Sequence, residues 1–358
     1  MKNLNILYLG QDYGTSRHRA DALRRLGHRV EVIDPWEFLP QQPKLIRKLI
    51  GKLTYEIGPG FLEAYVRQQL KNRINEKQFD IIWSNQCELM GLKTALFLKA
   101  HAKRLITYSN DDPFGTRDKK RFLLYRKAIG LFDLVAVVRQ PNISEATAHG
   151  APKVVLVPFT ADEIAHAPLD LSFKEQAIWA SDVVFIGTWM PERGSFFAHL
   201  LELSVPLTLY GNLWQKAPEW PIIKKAWRGP GLIGPAYVKA IQCAKICIGL
   251  LSKGNRDLST RRSAEIPYIG GLLCAERTSE HLAMYKEDEE AVFWSTPEEC
   301  AQKCFDLLTN DKKRKRIAEA GRKRCIAAGY LNEPAMQRIL DALFNNKPGS
   351  DEKFPCKI

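Results

Sequence analysis

Short apolar runs that close on glycine, proline or a carboxylate recur along this chain, with helical patterns between them, and this alternation restricts its fold more than any other feature. A run of four to eight apolar residues without polar alternation belongs to a strand buried on both faces, as parallel sheets covered by helices provide. The first cycle opens with NILYLG (5–10), continues through the helical GTSRHRADALRRL to a stop at Gly27, and returns in a strand over 30–33 that ends at Asp34, which makes a β-α-β unit. Further strands are expected at 79–84, 104–109, 133–138 and 153–158, with helical patterns at 60–74, 88–101 and 118–129. After a polar, Ala/Pro-containing segment at about 160–180 a second cycle begins, with strands at 182–187, 207–211, 245–250, 271–276 and 291–295, and three closing helices. The expectation is an α/β protein of two Rossmann-like domains facing across a cleft, 1–165 and 166–332. A helix at 333–346 could cross back to the first domain, and a flexible tail follows at 347–358. A length of 358 residues suits two such cores.

A formal net charge of +13 favours an anionic partner: nucleic acid, an acidic membrane surface or a phosphorylated substrate. The run KKRKR (312–316) reads as a solvated helix face without an aromatic-basic motif beside it, so no nucleic-acid partner is expected. No stretch of about 18 apolar residues is present, and MKNLNILYLG enters a strand without the signature of a secretion signal, so a cytoplasmic location is expected. Eight cysteines are scattered through the chain. Cys243/Cys247 and Cys300/Cys304 are four apart, which on a helix places each pair on one face. Neither pair has further ligands at zinc-site spacing, so buried thiols and no metal are expected.

Both halves open with a strand ending in glycine, LYLGQDYGTSRHR and FIGTWMPERGSFF, and such a turn into a helix offers backbone N–H groups to an anion. The dinucleotide fingerprint and the phosphate loop are absent from both. The stretch RDLSTRRSAEIPYIGG (256–271) is more specific. On a helix Arg261 and Arg262 stand four and three residues before Glu265, and Asp257 eight before it. One reading is a surface ion pair. The other is a ligand site at the sheet edge, where Glu265 takes two ribose hydroxyls while Arg262 and Lys253 neutralise a diphosphate.

The run LLSKGNRDLSTRRSAEIPYIGGLLCAERTSEHLAMY resembles the C-terminal core of the CgeB-like, group 1-type glycosyltransferases of the GT-B fold, through Arg256, Asp257, Thr260, Arg262, Glu265, Ile266, Pro267 and Gly270. The resemblance covers about residues 182–330, and the N-terminal half only in its general plan. It implies a nucleotide-sugar donor as substrate, with no separate cofactor and no catalytic metal. Glu265 stands at the second position of the clan's Glu-seven-residues-Glu motif, the one that binds the ribose, and Asp257 replaces the first. Gly187, Thr188 and Arg193 resemble the diphosphate-facing loop, and Gly211, Asn212 and Trp214 of LYGNLW resemble the strand end near the nucleobase. The implied acceptor is a glycan, a lipid-linked molecule or a protein. A reading of another class is a non-catalytic nucleotide-sugar or glycan-binding protein.

In the first half, Asn110-Asp111-Asp112-Pro113 interrupts the chain after a strand, and Asp112 is either a capping residue or a general base for the acceptor. His18 follows the first glycine loop and is either structural or part of the site. In PKLIRKLIGKL, Leu45, Ile46, Leu49, Ile50 and Leu53 fall on one arc of a helix, with Lys44, Arg47, Lys48 and Lys52 opposite. Segment 44–53 either packs on the first sheet or attaches to an anionic inner membrane face.

Overall fold

The computed structural model describes residues 3–39, 44–86 and 88–344, so the tail at 347–358, Cys87 and Cys356 lie outside the described residues. By its contacts the chain forms two units. One takes the chain up to Pro158, the short segment Lys253–Asp257 and the last helix, Asn332–Phe344; the other takes Phe159–Ser252 and Leu258–Leu331.

The first unit holds a six-stranded sheet of β1 (Asn5–Leu9), β2 (Arg29–Ile33), β3 (Phe79–Asn85), β4 (Ala102–Ser109), β5 (Leu134–Val137) and β6 (Val154–Leu156), in the order β2-β1-β3-β4-β5-β6. Each adjacent pair is parallel. Central positions such as Leu7, Ile82 and Val135 are fully buried, as strands covered on both faces require. The last helix packs on the helix Gly14–Arg25, where Arg25 Nε meets Glu333 Oε1 at 2.5 Å.

The second unit repeats the plan with β7 (Ser181–Ile186), β8 (Leu207–Tyr210), β9 (Trp227–Gly229), β10 (Ala244–Gly249), β11 (Leu273–Glu276) and β12 (Val292–Trp294), in the order β12-β11-β10-β7-β8-β9, again all parallel. Successive residues divide between two cores: Val183, Phe185, Ile246 and Ile248 pack into one, Val184, Ile186 and Cys247 into the other. A strand's period of two sends alternate side chains to opposite faces, so helices must cover both. Each unit therefore holds one of the two Rossmann-like sheets that the sequence leads one to expect.

Two elements differ from the sequence expectation. The polar segment after 160 contains a helix, Phe173–Trp179, opened by a capping box between Ser172 and Glu175. Edge strand β9 has no apolar run; its pairing with β8 across a register shift, and the Trp227 indole donating to Gly211 O at 3.0 Å, define it. The cysteine expectation also changes. Cys300 and Cys304 share a face of the helix Pro297–Leu308, but Cys247 lies in β10 and Cys243 caps the preceding helix.

Candidate functional site

In the second sheet β8 and β10 lie on opposite sides of β7, so the chain leaves toward different directions at the carboxyl ends of β7 and β10. Open α/β sheets bind ligands at such a switch point. Four of the expected residues gather there. The loop after β7 begins at Gly187, where a Cβ would sit 2.7 Å from Phe185 Cζ and 3.3 Å from Arg193 Nη1. Only glycine lets the loop lie so close to Arg193. Arg193, in the first turn of the helix Pro191–Glu202, is buried; its Nη1 donates to Thr188 O at 2.8 Å and its Nη2 to Leu251 O at 3.2 Å. It thereby ties the loop after β7 to the one after β10. Arg262 begins the helix Arg262–Ile269 and donates from Nη2 to Ile186 O at 3.2 Å. Glu265 follows one turn later, with Oε2 3.7 Å from Arg262 Nη1.

Glu265 is only 4% exposed, and two residues that the sequence did not single out complete its surroundings. Tyr237 Oη donates to Glu265 Oε2 at 2.8 Å, and the Arg262 guanidinium lies over the Tyr237 ring at 5.5 Å. His166 Nε2 is 3.8 Å from Glu265 Oε1. The backbone N–H of Asp162 donates to His166 Nδ1 at 2.8 Å, so the ring proton is assigned to Nε2, facing the carboxylate. Burial acts to raise the pKa of Glu265, but Arg262, His166, Arg261 and the Tyr237 hydroxyl outweigh it and hold the carboxyl below its ordinary value. Burial and the neighbouring Glu265 charge push the Tyr237 hydroxyl well above its own. The site therefore carries an ionised carboxylate amid cationic groups and a neutral phenol.

The helix Arg262–Ile269 ends at Gly270, whose φ of 101° is the left-handed conformation that glycine adopts without strain. The two glycines that close the stretch 256–271 thus serve helix termination and, at Gly271, close packing on Ile241 and Cys247.

The loop after β8 is equally constrained. A Cβ on Gly211 would lie 1.8 Å from Gly187 O, so the two glycine loops touch through backbone. Trp189 N donates to Asn212 O at 2.9 Å, and Asn212 Oδ1 accepts from Gly231 N at 3.2 Å. Asn212 and Thr188 are exposed. Trp214 corrects the expectation of a nucleobase neighbour: it is 0% exposed, packs edge-on to Phe185 and Phe197, and spends its indole N–H on Gly187 O at 3.0 Å. It is a core residue beneath the loop.

The remaining expected residues belong by their contacts to the first unit. Lys253 is exposed at the start of the turn Lys253–Asn255. Asp257 is buried against Arg139, with Oδ1 2.7 Å from Nε and 2.5 Å from Nη2; burial raises its pKa to about 6 despite that pairing. Asp112 is also buried. It accepts from Phe114 N and Gly115 N, from Asn142 Nδ2 at 2.9 Å, and from Arg256 Nε and Nη2 at 2.6 and 2.8 Å. Against the cost of burial, Arg256 and Asn142 hold its pKa below the usual value. Of its two roles the contacts supply turn-capping and anchoring; the general-base role meets a carboxylate already taken by five donors. His18 is half-buried in the helix Gly14–Arg25.

For a metal, the sequence spacing omitted a third thiol. Cys274 on β11 meets Cys300 and Cys304, all fully buried, with the three sulfurs within 4.8 Å of one another. Three soft ligands suit a soft metal ion in principle. Among the described residues no other such group occurs.

Residues 193–341 match the family model described as glycosyl transferase-like. The whole chain is similar in structure to the Anabaena protein HepE in complex with UDP-glucose, at a TM-score of 0.64 and 13% identity, covering 95% of this chain and 99% of that one. It is similar to a sucrose-phosphate synthase from Thermosynechococcus elongatus at 0.62 and 12%, covering 94% and 97%. An α,α-trehalose-phosphate synthase (UDP-forming) from Burkholderia xenovorans in complex with glucose-6-phosphate gives 0.62 and 11%, covering 95% and 99%. The fold is GT-B. No curated protein matches in sequence. The matched segment contains Arg193, Gly211, Asn212, Tyr237, Arg262 and Glu265 of the second unit, so the family match covers most of that unit's switch point.

Proposed function

We propose that this chain is a glycosyltransferase of the CgeB-like, group 1 type, moving a hexosyl group from a nucleotide-sugar donor to a glycan, lipid-linked or protein acceptor without a metal. The arginine–carboxylate cluster at the ends of β7 and β10, inside the matched segment, carries this reading. Glu265 accepts the ribose hydroxyls. Arg262, the buried charge of Arg193 and the N-terminus of the helix Pro191–Glu202 balance the diphosphate, which gains negative charge as its bond to the anomeric carbon breaks. The acceptor oxygen bonds to that carbon, and its proton passes to base or solvent. That a GT-B neighbour holds UDP-glucose supports a uridine donor. A thermal-shift screen against UDP-, GDP-, ADP-, CMP- and dTDP-sugars tests the donor, since ligand binding raises apparent stability by mass action. A nucleotide-release assay then separates transfer from mere binding: a stabilising donor that is never turned over establishes the non-catalytic alternative.

Tyr237 orients the proposed ribose acceptor without needing to touch the sugar. Tyr237→Phe removes one hydrogen bond to Glu265 and is expected to weaken donor binding by about 1 kcal/mol, roughly fivefold. Calorimetric titration with the best donor of the screen checks it, and unchanged affinity would remove Tyr237 from the site.

We propose that the helix Lys44–Glu56, whose other reading is packing on the first sheet, attaches the protein peripherally to an anionic inner membrane face. Ile50 packs against the first core, but Leu49 stays 55% and Ile46 42% exposed, with Lys48 and Lys52 exposed on the same helix. The side chains of Lys44, Leu45 and Arg47 lie outside the described residues. No described helix is long and apolar enough to cross a membrane. Co-sedimentation with anionic vesicles is expected at low salt and to fall at high salt, each basic residue contributing about 1 kcal/mol. Equal binding to neutral and anionic vesicles, or none to either, would leave the helix a packing role.

A further inference from the structure

Strand alternation sends Leu272 and Cys274 to one face of the second sheet, and Leu273 and Ala275 to the other. The helix Pro297–Leu308 covers the first of these faces and buries Cys300, Ala301, Cys304 and Leu307 there. A spacing of four sets Cys300 and Cys304 on one stripe of that helix, where their sulfurs meet the sulfur of Cys274. Cys274 lies within β11 rather than past its carboxyl end, so the three thiols are no part of the arginine–carboxylate cluster.

All three are free thiols, each is 0% exposed, and their sulfurs lie within 4.8 Å of one another. An ion bonded to thiolate sulfur at about 2.3 Å holds three sulfurs about 4 Å apart when it lies in their plane. The folded chain therefore brings the three sulfurs within about 1 Å of the spacing that one shared ion requires.

The surroundings select the ion. Ile248 and Val292, which pair with Cys274 on the neighbouring strands, belong with Trp294, Leu307 and Ile317 to one apolar core. No His, Asp or Glu among the described residues joins the three sulfurs. Structural zinc takes four ligands, and a dry core offers no water for the fourth place. Net charge is the second filter. Three thiolates carry three negative charges; a monovalent ion leaves two of them uncompensated and a divalent ion leaves one, which is costly in an apolar core. A trivalent soft ion that takes three sulfurs leaves none.

We propose that Cys274, Cys300 and Cys304 form a site for a trivalent, three-coordinate thiophilic ion of the arsenite and antimonite class. In the binding step arsenous acid exchanges its three As–O bonds for three As–S bonds. Each hydroxide leaves as water with one thiol proton, and nothing is oxidised or reduced. The product is neutral and pins the helix Pro297–Leu308 to β11. The site is independent of the glycosyl-transfer reading.

The test is native mass spectrometry of the full chain, kept reduced with a phosphine, with sodium arsenite and separately with zinc chloride. Wild type is expected to gain one arsenic and lose three hydrogens, and arsenite to raise its unfolding temperature by mass action. Cys274→Ala, Cys300→Ala and Cys304→Ala are each expected to lose this adduct. Cys325→Ala, which removes an equally buried thiol outside the group, is expected to keep it. Arsenic absorption spectroscopy of the wild-type adduct needs no variant to fold: three sulfur neighbours are expected, which no other group of described residues supplies. No adduct on wild type, fewer than three sulfur neighbours, or zinc held more tightly than arsenite would overturn the site. So would an adduct that survives in any of the three variants or is lost in Cys325→Ala.

Discussion

Glu265→Gln is expected to lower donor affinity and kcat/KM by roughly 10- to 150-fold, corresponding to about 1.5–3 kcal/mol for a hydrogen bond to a charged group. The substitution keeps the shape of the side chain but removes the charge that Arg262 and His166 face at 3.7 and 3.8 Å. It also presents an amide N–H₂ where a ribose hydroxyl would donate. The same change acts on stability with a definite sign. In the folded protein the carboxyl lies below its ordinary value, because the surrounding cations and the Tyr237 hydroxyl outweigh burial. Its stabilising contribution is therefore fully present above the unfolded pKa, ordinarily about 4.3 for glutamate, and is lost as pH falls through the folded one. The difference between wild type and Glu265→Gln in denaturant unfolding should thus shrink on acidification. Wild-type turnover in the variant would move the ribose contact elsewhere. Normal donor affinity with lost turnover would assign Glu265 to the transition state rather than to binding.

Arg139→Met is expected to destabilise the protein by about 3–5 kcal/mol, the cost of stranding one charge of a buried pair. Arg139 and Asp257 are both almost fully buried and meet at 2.5 Å, with Arg139 Nη1 also donating to Asn110 O at 3.0 Å. Replacing both partners, Arg139→Met with Asp257→Leu, should cost less than Arg139→Met alone, because no uncompensated charge remains. The pH dependence runs opposite to that of Glu265. Asp257 titrates at about 6 in the folded chain, above the ordinary 3.8, because burial outweighs Arg139. Between roughly pH 4 and 6 the folded state holds a proton that the unfolded chain has released, so this group's contribution to stability falls as pH rises through that window. In Arg139→Met the window should extend above pH 6, since the opposing charge is gone. Urea unfolding across pH 4–8 measures all three proteins, and a single-mutant loss below about 1 kcal/mol would show that the pair is solvated in solution.

The sheets were legible because their strands are buried on both faces, and continuous apolar runs such as those around Ile6 and Val183 have no other stable place in a chain of this kind. Strand β9 was not, since Trp-Arg-Gly carries no burial pattern and exists through its pairing with β8. The helix at Phe173 did carry a local signal, the Ser172–Glu175 capping box, inside a stretch whose composition reads as a linker. Within the candidate site, Arg262 and Glu265 were legible because helical spacing of three places them together. Tyr237 and His166 were not: they reach Glu265 from 28 and 99 residues away, and neither has a spacing that announces a partner.

By itself the sequence determined eleven of the twelve strands, that they form two doubly wound sheets, and that an arginine–carboxylate helix follows β10, because each of these depends on apolar runs or on a helical period of about 3.6 along the chain. Tertiary structure alone decided which polar groups are already satisfied. Asp112 is taken by Arg256, 144 residues away, and Asp257 by Arg139, 118 residues away. Trp214 is withdrawn into the core by a hydrogen bond to Gly187, and Cys274 is brought to the Cys300–Cys304 pair. The physical reason is that a side chain's availability depends on its burial and its partners. Strand order sets both, and strand order joins residues that no local pattern relates.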